Sequence, residues 1–104
     1  DILNECQKRG IKVVFYYHAG WDPSPLPNQN YALRQSFMDK QMSIVSEISN
    51  RYGNKLNGWM FDFTNVFNPL PFKYFTDNAR LGNPDRMITF NCVNFIDSAS
   101  PYGA

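Results

Sequence analysis

At 104 residues the chain is at most one domain, large enough for a modest core. Its formal net charge is +1 with both signs scattered, which excludes a basic stripe for nucleic acid and a polybasic patch for a membrane surface. No apolar stretch approaches transmembrane length, and no charged-then-apolar leader precedes a cleavage site. Cys6 and Cys92 fall in different predicted elements, lack metal-ligand spacing and read as buried or unremarkable thiols.

Asp1 to Arg9 reads as the last turns of a helix, with Leu3 and Cys6 on one face, Lys8 and Arg9 suiting its C-terminus and Gly10 as a left-handed stop. Ile11 to Tyr17 is a continuous β-branched and aromatic run, the mark of a strand buried on both faces. Trp21 to Asn30 holds Pro23, Pro25 and Pro27 and is an extended loop. From Tyr31 to Tyr52 the apolar positions Met38, Met42, Val45, Ile48 and Tyr52 recur at spacings of 4, 3, 3 and 4, which predicts the longest helix, ended by Gly53-Asn54. Ser36, Ser43, Ser46 and Ser49 read as its solvated side.

A second strand is expected over Leu56 to Phe63, a helix from Phe72 to Leu81 stopped by Gly82-Asn83-Pro84, and a third strand over Arg86 to Val93, followed by a loop tail. Helices between successive strands imply right-handed crossovers and a parallel sheet. The chain opens in helical phase with no capping residue ahead of the first turn, closes after a strand, and leaves two sheet edges to protect. It therefore reads as one segment, residues 1–104, of a larger α/β domain.

Asp62 is the most informative residue, a carboxylate closing the apolar run Leu56-Asn57-Gly58-Trp59-Met60-Phe61. A charge at the tip of such a strand must be solvated at an open end or compensated, and the carboxyl ends of parallel strands are where α/β proteins place ligands and catalysis. An isolated strand-end Asp more often hydrogen-bonds the next loop. Here two other strands also end in polar groups, His18 and Asn91. Alternation puts Asp62, Met60 and Gly58 on one face with His18, Tyr16, Val14, Thr89 and Asn91. The opposite face takes Trp59, Phe61, Phe15, Tyr17, Ile88, Phe90 and Cys92. His18 serves equally as a structural hydrogen-bonder or a sugar ligand, and Trp21 as a sugar platform or a cover for the mouth. Tyr16 and Tyr17 read as packing, Asn65 and Asn94 as turn formers. With one His in the chain and no carboxylate pair at ligand spacing, no metal site is expected, and no Gly-rich phosphate loop occurs, so no cofactor is implied.

Gly10 to His18 followed by Trp21, then Gly58-Trp59-Met60-Phe61-Asp62 and Ile88-Thr89-Phe90-Asn91, resemble in order and spacing the middle strands of the α-L-fucosidase family of glycoside hydrolases. Tyr31, Gln41, Glu47-Ile48 and Tyr52 fit that family's intervening helix. The resemblance implies an incomplete (β/α)8 barrel, with about three of its parallel strands, and retaining hydrolysis of an α-linked fucose or related sugar. In that scheme Asp62 is the nucleophile, and His18, Trp21 and Asn91 bind the carbohydrate substrate. His18 stands for the family's Ser, Met60 for its Trp and Phe63 for its Gly, departures that bear on substrate identity more than on fold. The family's sugar-gripping early strands and its acid/base lie outside the matched segment; Asp22, the carboxylate on the first mouth loop, precedes the place where the family carries that acid. The family is usually secreted, periplasmic or lysosomal. A non-catalytic glycan-binding barrel and a glycosidase of shifted sugar preference are the competing readings.

Overall fold

The computed structural model describes residues 1–19, 31–62 and 71–91, with the backbone alone for 31–34. Among the described residues run α1 (Ile2–Lys8), β1 (Val14–His18), α2 (Tyr31–Tyr52), a 3-10 turn (Gly53–Lys55), β2 (Gly58–Asp62), α3 (Phe72–Ala79) and β3 (Met87–Asn91). The strands form one parallel sheet in the order β1-β2-β3. Each strand is shorter than its apolar run, because ladder pairing begins only where a neighbour is in register. At that starting line Asn57 holds both flanks. Its side-chain Oδ1 accepts from Val13 N at 2.8 Å, its N–H donates to Val13 O at 2.8 Å, and its carbonyl accepts from Met87 N at 2.9 Å.

Asp1 is a capping residue after all: its carboxylate accepts from Leu3 N at 2.9 Å, so the first turn of α1 is closed by a side chain. The expectation of a β1 buried on both faces is also corrected. Phe15 and Tyr17 face the helices while Val14 and Tyr16 lie exposed, because the helices that pack on the sheet do so on one side. On that side Phe15, Tyr17, Trp59, Phe61, Ile88 and Phe90 meet Phe37, Met38, Met42 and Val45 of α2 and Phe75 and Ala79 of α3. Trp59 and Phe61 are fully buried, and Phe61 meets Phe75 edge-on with centroids 5.4 Å apart. Burying aromatic side chains of this size contributes roughly 1.5–3 kcal/mol each, which makes β2 the anchor of the layer.

Two polar residues in this layer depart from expectation. Ser49, read as solvated, is fully buried; it follows Val45 by four residues and so lies on the apolar stripe of α2. Its hydroxyl accepts from Trp59 Nε1 at 3.0 Å and donates to Ala79 O at 3.2 Å, supplying the partner a buried indole requires. Arg86, read simply as the start of a strand, is fully buried beneath the sheet. Its guanidinium donates to the carbonyls of Leu56 (2.9 Å), Ala79 (2.6 Å), Leu81 (2.9 Å), Ser49 (3.2 Å) and Gly53 (2.5 Å). It thereby ties the end of α2, the entry to β2 and the end of α3. Gly82 completes this knot: its φ is +78°, and a Cβ there would stand 2.9 Å from Ser49 O, too close for any side chain.

The two long helices are also joined at their outer surface. Tyr74 Oη donates to Asp39 Oδ1 at 2.6 Å, and Gln35 Nε2 donates to the same oxygen at 2.8 Å. Burial and then the Asp39 hydrogen bond push the Tyr74 phenol up to about 12, while the Tyr74 and Gln35 donors hold the Asp39 carboxyl below its usual range. The raised Tyr74 value gives stability that is full below the ordinary tyrosine value of about 10 and is lost as pH rises to about 12. The lowered Asp39 value gives stability present above the ordinary carboxylate value and lost as pH falls through that range. Tyr74→Phe should therefore lower Tm most near neutrality, with the gap to wild type closing at both pH extremes. A gap independent of pH would contradict this coupling.

Candidate functional site

The sheet register sets His18, Asp62 and Asn91 in one row across the C-terminal ends of the three strands: His18 pairs with Asp62 and Asp62 with Asn91. Ala19 N donates to Asp62 O at 2.9 Å, carrying the β1–β2 ladder one residue past the strand end. Asp62 thus closes the central strand, braced by main chain on both sides, with the Trp59–Phe61 core directly beneath it.

Asp62 is only 8% exposed, yet its side chain stands on the face turned away from the helices. Two neighbours shield and bind it. Tyr16 Oη, from β1, donates to Oδ2 at 2.5 Å, and Asn91 Nδ2, from β3, donates to Oδ1 at 3.0 Å. Each flanking strand therefore delivers one donor to one carboxylate oxygen. Donors placed so satisfy both carboxylate oxygens and fix the rotation of the group. The hydrogen bond to Asp62, with smaller contributions from desolvation and from the Asp62 charge, raises the Tyr16 phenol above its ordinary range. Tyr17, on the opposite face, donates to Gln41 of α2, and burial raises its phenol.

The residues singled out from the sequence thus divide in three. Asp62 and Asn91 touch, and half-buried His18 lies beside them in the row. Trp21 lies outside the described residues, as do Asp22, Phe63, Asn65, Cys92 and Asn94. Tyr16, which reads as packing in the sequence although parity places it on the Asp62 face, is instead a polar partner of Asp62; the signal is its position two residues before His18, one strand over from a carboxylate. Among the described residues, no group of three or more His, Cys, Asp or Glu is placed to hold a metal ion.

A carboxylate oriented by two donors at the rim of a parallel sheet can attack an electrophilic carbon, stabilise a cation or accept a hydroxyl proton. Comparison with known proteins bears on the fold that carries it. No protein-family model matches the sequence, and no curated protein matches it. Similar solved structures include the endo-fucoidan hydrolase MfFcnA9 of glycoside hydrolase family 107, with a TM-score of 0.66 and 16% identity over 88% of this chain and 24% of that one. A variant of the endo-fucoidan hydrolase MfFcnA4 of the same family gives a TM-score of 0.65 and 16% identity over 88% of this chain and 20% of that one. At this identity the likeness is one of fold: the chain folds like a part of each of these two structures, and it spans a quarter or less of their length. Both are named for endo-hydrolysis of fucoidan and not as α-L-fucosidases.

Proposed function

We propose that this chain is part of the (β/α)8 catalytic domain of a retaining glycoside hydrolase acting on α-linked fucose or a related sugar, with Asp62 as its nucleophile. The observation that carries this reading is the grip on Asp62, a nearly buried strand-end carboxylate held at both oxygens by Tyr16 and Asn91. The motif resemblance to α-L-fucosidases and the fold likeness to family 107 enzymes support it independently. A retaining mechanism needs a nucleophile that stays ionised and positioned, and a second carboxylic acid ~5–5.5 Å away that protonates the leaving oxygen and then activates water. In this reading Asp62, held by its two donors, meets the first requirement, and the second carboxylic acid lies outside the described residues. His18, Asn91 and Trp21 would line the sugar subsite, with Trp21 stacking on a sugar face.

The names of the fold neighbours favour a second reading of the substrate, an internal fucoside bond within a fucan in place of a terminal fucose. The test is to assay the full-length protein on an aryl α-L-fucoside and on fucoidan, each beside an Asp62→Ala variant. Turnover of the small fucoside that depends on Asp62 supports the exo-acting form, and depolymerisation of fucoidan alone supports the endo-acting form. Glycan binding without Asp62-dependent cleavage of either would replace the enzyme with a binding module.

A further inference from the structure

Tyr16 has no part in the substrate assignments above, yet its placement is unusual for a packing residue. The residue is 58% exposed on the open face of the sheet, and its single O–H, which solvent could satisfy, is turned onto Asp62 Oδ2 at 2.5 Å. With Asn91 on Oδ1 at 3.0 Å, the carboxylate cannot rotate without breaking a bond to each neighbouring strand. A phenol is protonated at neutral pH and so can donate there, and its hydrogen bond to Asp62 raises it further. Among the described residues on this face, the other titratable group flanking Asp62 is its register partner His18; Thr89 and Asn91 of β3 do not titrate.

We infer that Tyr16 is a positioning residue that acts through Asp62, orienting the carboxylate and stabilising it as the leaving group in the second half of a double displacement. This rests on the glycosidase reading. In the first half, a lone pair of an Asp62 oxygen forms a bond to the anomeric carbon while the bond to the leaving oxygen breaks. That electron pair departs with the leaving oxygen, which takes a proton from the second carboxylic acid. The Asp62 charge is thereby removed, and its charge-assisted bond to the phenol weakens. In the second half, water bonds to the anomeric carbon and gives its proton to the same second carboxylate. The ester bond breaks, and its electron pair returns to Asp62. The returning charge meets the phenol. Tyr16 therefore resists the first half and assists the second.

Two measurements on the full-length protein test this. In alkaline titrations followed by tyrosinate absorbance, the difference between wild type and Tyr16→Phe isolates the Tyr16 phenol. Its ionisation should begin at lower pH when the same difference is taken in an Asp62→Asn background; an unchanged midpoint overturns the inference whether or not the protein is a glycosidase. In steady-state kinetics Tyr16→Phe should lower kcat roughly tenfold and lower KM with it, as the glycosyl-enzyme accumulates. The acidic limb of its kcat/KM profile should move to higher pH, and should do so equally in a His18→Gln background. A limb that stays in place, or a shift that vanishes without His18, overturns the inference. Wild-type activity indifferent to Asp62→Ala instead refutes the glycosidase reading, while the absorbance titration still reports on the Tyr16–Asp62 pair.

Discussion

Arg86→Leu is expected to destabilise the fold by about 3 kcal/mol or more, a large share of the stability of any single domain. The guanidinium is fully buried and serves five carbonyls from three segments. Their dependence on it is unequal. Leu56 O keeps Asn83 Nδ2 at 3.3 Å, Ala79 O keeps the Ser49 hydroxyl at 3.2 Å and Gly53 O keeps Leu56 N at 3.3 Å. Ser49 O and Leu81 O lose their Arg86 donors, and the site that held a planar cation is left lined by carbonyl oxygens facing a branched apolar chain. Arg86→Lys should fall between, since one ammonium with three donors cannot reproduce a five-donor fork. Chemical denaturation of the full-length variants measures the order. An Arg86→Leu protein as stable as wild type would mean that the knot contributes nothing net, an outcome known for some buried ionic groups.

Asp62→Ala is expected to lower turnover by several orders of magnitude while leaving Tm close to that of wild type. The two effects separate because Asp62 lies on the open face, and the core beneath it is made by Trp59 and Phe61. In the proposed mechanism, removing the carboxylate removes the covalent step and leaves Tyr16 and Asn91 able to bind water. Azide entering the vacated space should restore part of the rate. Because one displacement then replaces two, the fucosyl azide formed should have inverted anomeric configuration. Azide rescue without inversion, or a variant with near-normal turnover, would remove Asp62 from the nucleophile's role.

The layer that positions this site was legible because its signals are local. The β-branched and aromatic runs marked the three strands, the Met38-Met42-Val45 spacing marked α2, and alternation within β2 separated Trp59 and Phe61 from Asp62. Residues whose meaning depends on three-dimensional neighbours were not legible. Arg86 looks like any charge at a strand entry until the ends of α2 and α3 are brought over it. Ser49 looks like its exposed fellow serines Ser36 and Ser43 unless its four-residue offset from Val45 is combined with the need of Trp59 for an acceptor. Tyr16 belongs to an apolar run, and only the β1–β2 register brings its hydroxyl to the carboxylate two residues further along the neighbouring strand. The exposed face of β1 was hidden for the same reason: a continuous apolar run says that both faces suit burial, not which face this chain covers.

Trapping the covalent intermediate tests the central claim most directly. A 2-deoxy-2-fluoro-fucosyl fluoride carries a leaving group good enough for the first displacement, and a fluorine that slows the second by destabilising the oxocarbenium-like transition state. Cleavage after Lys55 and Lys73 yields a peptide from Leu56 to Lys73 in which Asp62 is the single carboxylate side chain. The account predicts a one-to-one fluorofucosyl adduct on that peptide in the full-length protein, absent from Asp62→Ala. Active protein that is labelled on another peptide, or that turns over fucosides with this peptide unmodified, would contradict it.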